Sequence, residues 1–111
     1  MTHSWSIIMP RVTENDVALA VLAIASKQKN LLCTLNRARN EVPSYVNLSK
    51  DDLEMSQTRP NEPMWHQLIR NIQSHHETDG NFINDGLLIH IPRKGYQATP
   101  AGLTHLKKLG F

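Results

Sequence analysis

The 111-residue sequence predicts a mainly helical α+β domain, and three features carry that expectation. A long apolar stretch over 17–25 recurs at helical spacing. Trp65, Leu68, Ile69 and Ile72 follow the i, i+3, i+4, i+7 pattern of one helix face. Near the C-terminus, two short strand-like runs flank the turn Pro92-Arg93-Lys94-Gly95, which reads as a hairpin.

The elements follow from local signals. Residues 1–12 lack periodicity and read as an N-terminal arm, ahead of a domain over 13–111. Trp5, Ile7, Ile8 and Met9 in that arm are expected to pack on the domain or on another subunit. Thr13-Glu14-Asn15-Asp16 resembles a capping box with Asp in place of Glu. The helix that follows carries Val17, Ala20, Val21, Ile24 and Ala25 and is apolar on most sides, so it belongs deep in the core. Leu31 to Thr34 form a short apolar run. Thr34 then caps a helix through Leu35, Ala38 and Val42, which Pro43 stops. Ser49-Lys50-Asp51-Asp52-Leu53 is a further cap and turn, and 56–63, with two prolines, reads as a loop.

The clearest helix is expected over 62–74. Its apolar stripe leaves Gln67, Arg70, Asn71 and Ser74 on the opposite face, with His66 and Gln73 at the edge. A solvated face ordinarily carries more Glu and Lys; this one offers amides, a hydroxyl and one arginine. Asn81 to Asp85 make one turn closed by Gly86. Strands over 87–91 and 96–98 enclose the hairpin, whose tip holds Arg93 and Lys94. Thr99-Pro100 supplies an N-cap and an N1 proline for a final helix with Leu103, Leu106 and Leu109 inward.

Composition narrows the function classes. Forty per cent hydrophobic and 20% charged residues suit one soluble domain with its own core. A net charge of +2 does not by itself call for a polyanion, so any basic patch must come from local arrangement. The single cysteine, Cys33, excludes an internal disulfide and a CxxC zinc site. No secretion signal is read, which makes the cytosol the expected compartment. The longest apolar run, about nine residues, is far short of the ~20 that span a membrane.

The order helix, short strand, helix, helix, hairpin, helix fits a winged helix-turn-helix with a C-terminal β-hairpin wing and a final helix. In that arrangement one helix enters the major groove, and the wing touches the backbone or the minor groove. Gln and Asn can read adenine and Arg can read guanine, while Arg93 and Lys94 suit phosphates. The expected contacts with double-stranded DNA are Gln67, Arg70, Asn71, Ser74 and His66 from the helix, and Arg93, Lys94 and Tyr96 from the wing. Arg37 and Arg39 either touch phosphates or are solvated cations. No catalytic residue, metal or cofactor is expected, and a second copy or a nuclease is the expected additional partner.

The residues also carry a resemblance. Trp65-His66-Gln67-Leu68-Ile69-Arg70-Asn71-Ile72, Ser74-His75, Gly80-Asn81-Phe82-Ile83, Gly86-Leu87-Leu88 and Gly95-Tyr96-Gln97-Ala98-Thr99-Pro100-Ala101-Gly102 resemble the winged-helix DNA-binding domain at the N-terminus of Mrr-type restriction endonucleases. The resemblance covers about residues 31–111 and is best from Trp65 onward. It implies a bacterial or phage DNA-recognition module that serves restriction, phage defence or related regulation. Such domains accompany a catalytic domain, and no nuclease follows Phe111. A stand-alone binder, a regulator or an excised domain is therefore expected. The stretch 42–63 is longer than a tight helix-turn-helix requires.

The stretch Ser74-His75-His76-Glu77-Thr78-Asp79-Gly80-Asn81 admits two readings. Adjacent histidines on a helix point about 100° apart, which does not make a zinc pair. A His-Asn-His metal nuclease built from His75 or His76, Asn81 or Asn84, and His90 would need its last histidine on a helix, whereas His90 falls in a strand. The structural reading has the helix end at the histidines, Gly80 reverse the chain and Asn81 cap the next turn. The other rival is a winged helix that binds protein, which an acidic or apolar outer face on the Trp65 helix would favour.

Overall fold

The computed structural model describes residues 10–111 of the protein. Trp5, Ile7, Ile8 and Met9 lie outside the described residues. Within them the chain is α+β, with five α-helices and a three-stranded antiparallel sheet. Helix α1 (Glu14–Ser26) starts on a full capping box: the Thr13 hydroxyl accepts from the Asp16 amide, and the Asp16 carboxylate accepts from the Thr13 amide. Its residues Val17, Ala18 and Ala20 to Ala25 are buried, and it packs against the sheet and three of the other helices. An all-apolar helix must be enclosed on most sides, and α1 is the spine of the core.

Strand β1 (Leu32–Thr34) leads directly into α2 (Leu35–Glu41), whose first turn is capped by the Thr34 hydroxyl. A 3-10 turn at Val42–Ser44 contains Pro43 and ends that helix. Helix α3 (Lys50–Leu53) is a single turn capped by Ser49. Helix α4 (His66–Ser74) starts four residues later than the sequence suggests, because Met55 and Pro63 pair as an antiparallel bridge. That bridge, with Ser56 donating to the Glu62 carbonyl at 2.7 Å, turns 56–63 into a closed ring rather than a slack loop.

Strands β2 (Leu88–Ile91) and β3 (Gly95–Ala98) form the hairpin, and β3 is the central strand, in the order β1-β3-β2. Cys33 pairs with Tyr96 and Thr34 with Gly95. A Cβ on Gly95 would sit 2.0 Å from the Cys33 carbonyl oxygen, so only glycine allows β1 this close. Helix α5 (Pro100–Lys108) is capped by Thr99 and packs on α1. Gly102 is its contact point, since a Cβ there would meet the Leu87 carbonyl oxygen at 2.3 Å. Leu106 is buried and Leu103 half-buried, but Leu109 is 52% exposed. The inward placement expected for Leu109 is wrong, because the helix has ended by that residue and the chain turns out at Gly110. No helix among the described residues is long and apolar enough to cross a membrane.

Candidate nucleic-acid interface

Helix α4 is fixed at three levels. At its start, the Trp65 amide donates to the Asp52 carbonyl and the Met64 amide to the Glu54 carbonyl. Asp52 is itself buried, and its carboxylate accepts from the Val12 amide at 3.0 Å, the Ser49 amide at 2.8 Å and the Ser49 hydroxyl at 3.0 Å. Burial alone would push this carboxyl up, but those bonds and Arg11 beside it outweigh burial and hold it below its ordinary value. In the middle of α4, the Tyr96 hydroxyl donates to the Ile69 carbonyl. At its end, the Asn81 amide donates to the Ile72 carbonyl at 2.9 Å. Trp65, Ile69 and Ile72 are buried beneath.

Tyr96 is therefore corrected. Only 1% of it is exposed, and it faces the core rather than a nucleic acid. Residues alternate faces along a strand, so β3 sends Tyr96 under α4, where burial pushes its phenol up to about 12.

The remaining helix residues are arranged unevenly. Gln67 and Ser74 are exposed, whereas His66, Arg70 and Asn71 are half-buried. The Ser74 hydroxyl donates back to the Arg70 carbonyl at 3.3 Å. Arg70 is already engaged: its guanidinium lies 2.7 Å from Glu62 Oε1. The His66 ring stands edge-on to Trp65, with centroids 4.5 Å apart. Burial lowers the His66 pKa; Glu62 opposes this, while Arg39 and Arg70 add to it. Gln67 opens onto a groove shared with Asp51, Glu54 and Arg11, where two carboxylates against one cation disfavour phosphate.

The hairpin tip joins this face through α2. The Lys94 amide donates to the Ile91 carbonyl, closing a turn with Pro92 at its second position and Arg93 at its third, φ 65°. Those positions match a type II turn, in which the third residue is ordinarily glycine. Arg93 thus carries its charge in a left-handed conformation that costs a side-chain residue roughly 1–2 kcal/mol. The Leu35 amide donates to the Lys94 carbonyl at 3.0 Å, locking the start of α2 to the tip. As a result Arg39 and Asn36 line one groove with Arg93 and Lys94. Arg39, Arg93 and Lys94 have no ion-pair partner among the described residues, whereas Arg37 pairs with Glu41 at 2.6 Å. Sequence reasoning left Arg39 undecided and missed Asn36. The signal lay in the strand character of 32–34, which had no assigned partner.

The histidine-rich stretch is a joint between α1, α4 and the turn before β2. His75 Nδ1 lies 2.6 Å from Glu14 Oε1, and the Asn15 amide donates to the Gly80 carbonyl. Asn81 is 3% exposed. Besides Ile72, its amide reaches Glu14 Oε2, and its carbonyl oxygen accepts from the Ile83 and Asn84 amides. His76 Nδ1 instead contacts the Gln73 carbonyl, and the His90 ring leans on Tyr96 with centroids 5.4 Å apart. No group of three or more His, Cys, Asp or Glu among the described residues is placed to hold a metal ion. Cys33 is fully buried, and burial pushes its thiol up to about 12, which disfavours the thiolate.

No protein-family model, curated protein or solved structure matches the chain.

Proposed function

We propose that the chain is a non-catalytic winged-helix domain that binds double-stranded DNA, with α4 toward the major groove and the β2–β3 tip on the backbone or minor groove. The observation that carries this reading is the cationic edge that Arg39, Arg93 and Lys94 form along one groove. Arg70, Asn71, His66 and Ser74 are the helix residues offered to bases, while Gln67 lies toward the acidic groove and is the weakest of the set. The modest net charge makes one copy a weak binder, so a dimer or a fused nuclease is part of the proposal. The role follows the Mrr-like resemblance: recognition of DNA for restriction, phage defence or transcription regulation in a bacterium or phage.

A salt series of duplex binding tests it. The Arg93→Ala, Lys94→Ala pair should lower the salt slope by about two and weaken binding alike on all sequences. The Arg70→Ala, Asn71→Ala pair should reduce discrimination between sequences. Absence of wild-type binding at low salt would end this reading.

A second reading, a module that binds protein, is favoured by one observation. Leu53 and Met55 are 52% and 61% exposed, and they stand among Asp51 and Glu54 next to α4. A basic, apolar peptide would suit that shelf, and charge reversal at Asp51 and Glu54 should then abolish its capture without moving the DNA salt slope.

A further inference from the structure

The contact between Arg70 and Glu62 is unlike an ordinary surface ion pair. Glu62 comes from the closed ring before α4, not from the helix. Its backbone is held there by the Ser56 amide on its carbonyl and by its own amide on the Arg59 carbonyl. The ring thus fixes the backbone from which the Glu62 side chain reaches Arg70. Its Oε1 lies 2.7 Å from Arg70 yet is buried without a hydrogen bond, because the angle to the guanidinium is poor. Side-chain exposures of 33% for Arg70 and 21% for Glu62 leave the pair partly screened by protein rather than by water. Arg70 is thereby neutralised without receiving the aligned, two-pronged bonds a guanidinium makes with its best partners.

We infer that Glu62 is a gate on Arg70: it withholds the guanidinium from phosphates and yields it to a base edge that offers two uncharged acceptors, as guanine does. This rests on the DNA-binding reading above and gives that site a specificity determinant. A phosphate approaching Arg70 meets the like charge of Glu62, and that repulsion opposes the contact. The O6 and N7 of guanine are neutral acceptors set for a bidentate bond, so they meet no charge repulsion from Glu62. Non-specific binding is suppressed more than specific binding, which raises their ratio.

The experiment compares wild type, Glu62→Gln, Arg70→Ala and the double variant on random-sequence duplex across a salt series. Glutamine keeps the ring's backbone bonds and the side-chain length, and a thermal melt of each variant checks folding. Glu62→Gln should tighten low-salt binding by about 3- to 10-fold and steepen the salt slope by about one, as a newly available cation would. The gain should vanish when Arg70 is also alanine, which a merely structural role for Glu62 would not produce. Wild-type binding left unmoved by Glu62→Gln, or a gain that survives Arg70→Ala, overturns the gate and leaves the DNA-binding reading standing. No binding by any of the four proteins at low salt overturns both.

Discussion

The hydroxyl of Tyr96 donates to the carbonyl of Ile69, so the central strand of the sheet is tied by a buried hydrogen bond to the middle of helix α4. The Ile69 carbonyl belongs to a helix, so it keeps a partner if the phenol is shortened. Tyr96→Phe should therefore cost about 1 kcal/mol, the net worth of a neutral hydrogen bond. Urea unfolding should show a lower midpoint with an unchanged slope. Tyr96→Ala, which also leaves a cavity, should cost roughly 3–5 kcal/mol by analogy with Phe→Ala.

At the hairpin tip, conformation and charge make opposing demands on Arg93. Relief of a left-handed residue is worth roughly 1–2 kcal/mol, less glycine's entropy loss of roughly 0.5–1 kcal/mol. Arg93→Gly should thus be more stable than Arg93→Ala by about 0.5–1 kcal/mol. On the proposed DNA-binding reading, both variants lose the same cation and with it the same phosphate contact. Chemical unfolding separates them, and a duplex titration should not.

The joint around Asn81 separates a buried hub from an exposed hydrogen bond. Asn81→Ala removes the acceptor for the Ile83 and Asn84 amides and the donor to Ile72, and should cost about 2–4 kcal/mol. His75 is half exposed at its bond to Glu14, so His75→Ala should cost under about 1 kcal/mol. Equal losses in thermal melts of the two variants would contradict the hub.

Two groups set the acid side of the stability profile. Asp52 has its folded pKa below the ordinary 3.8, so its contribution is present above that value and is lost as pH falls through the lowered one. His66 behaves differently, being a base whose pKa is lowered chiefly by burial beside Trp65, with Glu62 opposing and Arg39 and Arg70 adding to the shift. Its unfolded form takes up a proton first, so stability declines as pH drops from 6.5 toward the lowered folded value. His66→Gln should flatten the profile in the upper window, and Asp52→Asn in the lower. Urea midpoints measured from pH 8 to pH 2 read both.

Much of the fold was legible in local chemistry. Thr13, Thr34, Ser49 and Thr99 each cap the helix that the sequence assigns to them, because a cap needs only its next three residues. The site was less legible because its geometry comes from distant pairings. Tyr96 reads as a wing residue until Cys33 pairs with it, and the strand is too short for alternation to choose a face. Arg70 reads as a lone cation because Glu62, at the start of the helix expected over 62–74, would lie about two turns away; it instead sits in the ring closed by the Met55–Pro63 bridge, 2.7 Å from Arg70. Asp52 would not be chosen as buried from composition, since carboxylates enter a core only with donors supplied, here by Val12 and Ser49.

The position of β3 bears on how the protein is made. Both pairings of the sheet run through residues 95–98, while β1 has waited since residues 32–34. During synthesis from the N-terminus, α1 and α4 emerge long before the strand that covers them. Their apolar faces stay open until residue 98 is available. Closing the sheet then joins segments more than sixty residues apart in one late step, the kind of long-range contact that slows folding. The nascent chain is thus most prone to misassociate just before its hairpin is completed.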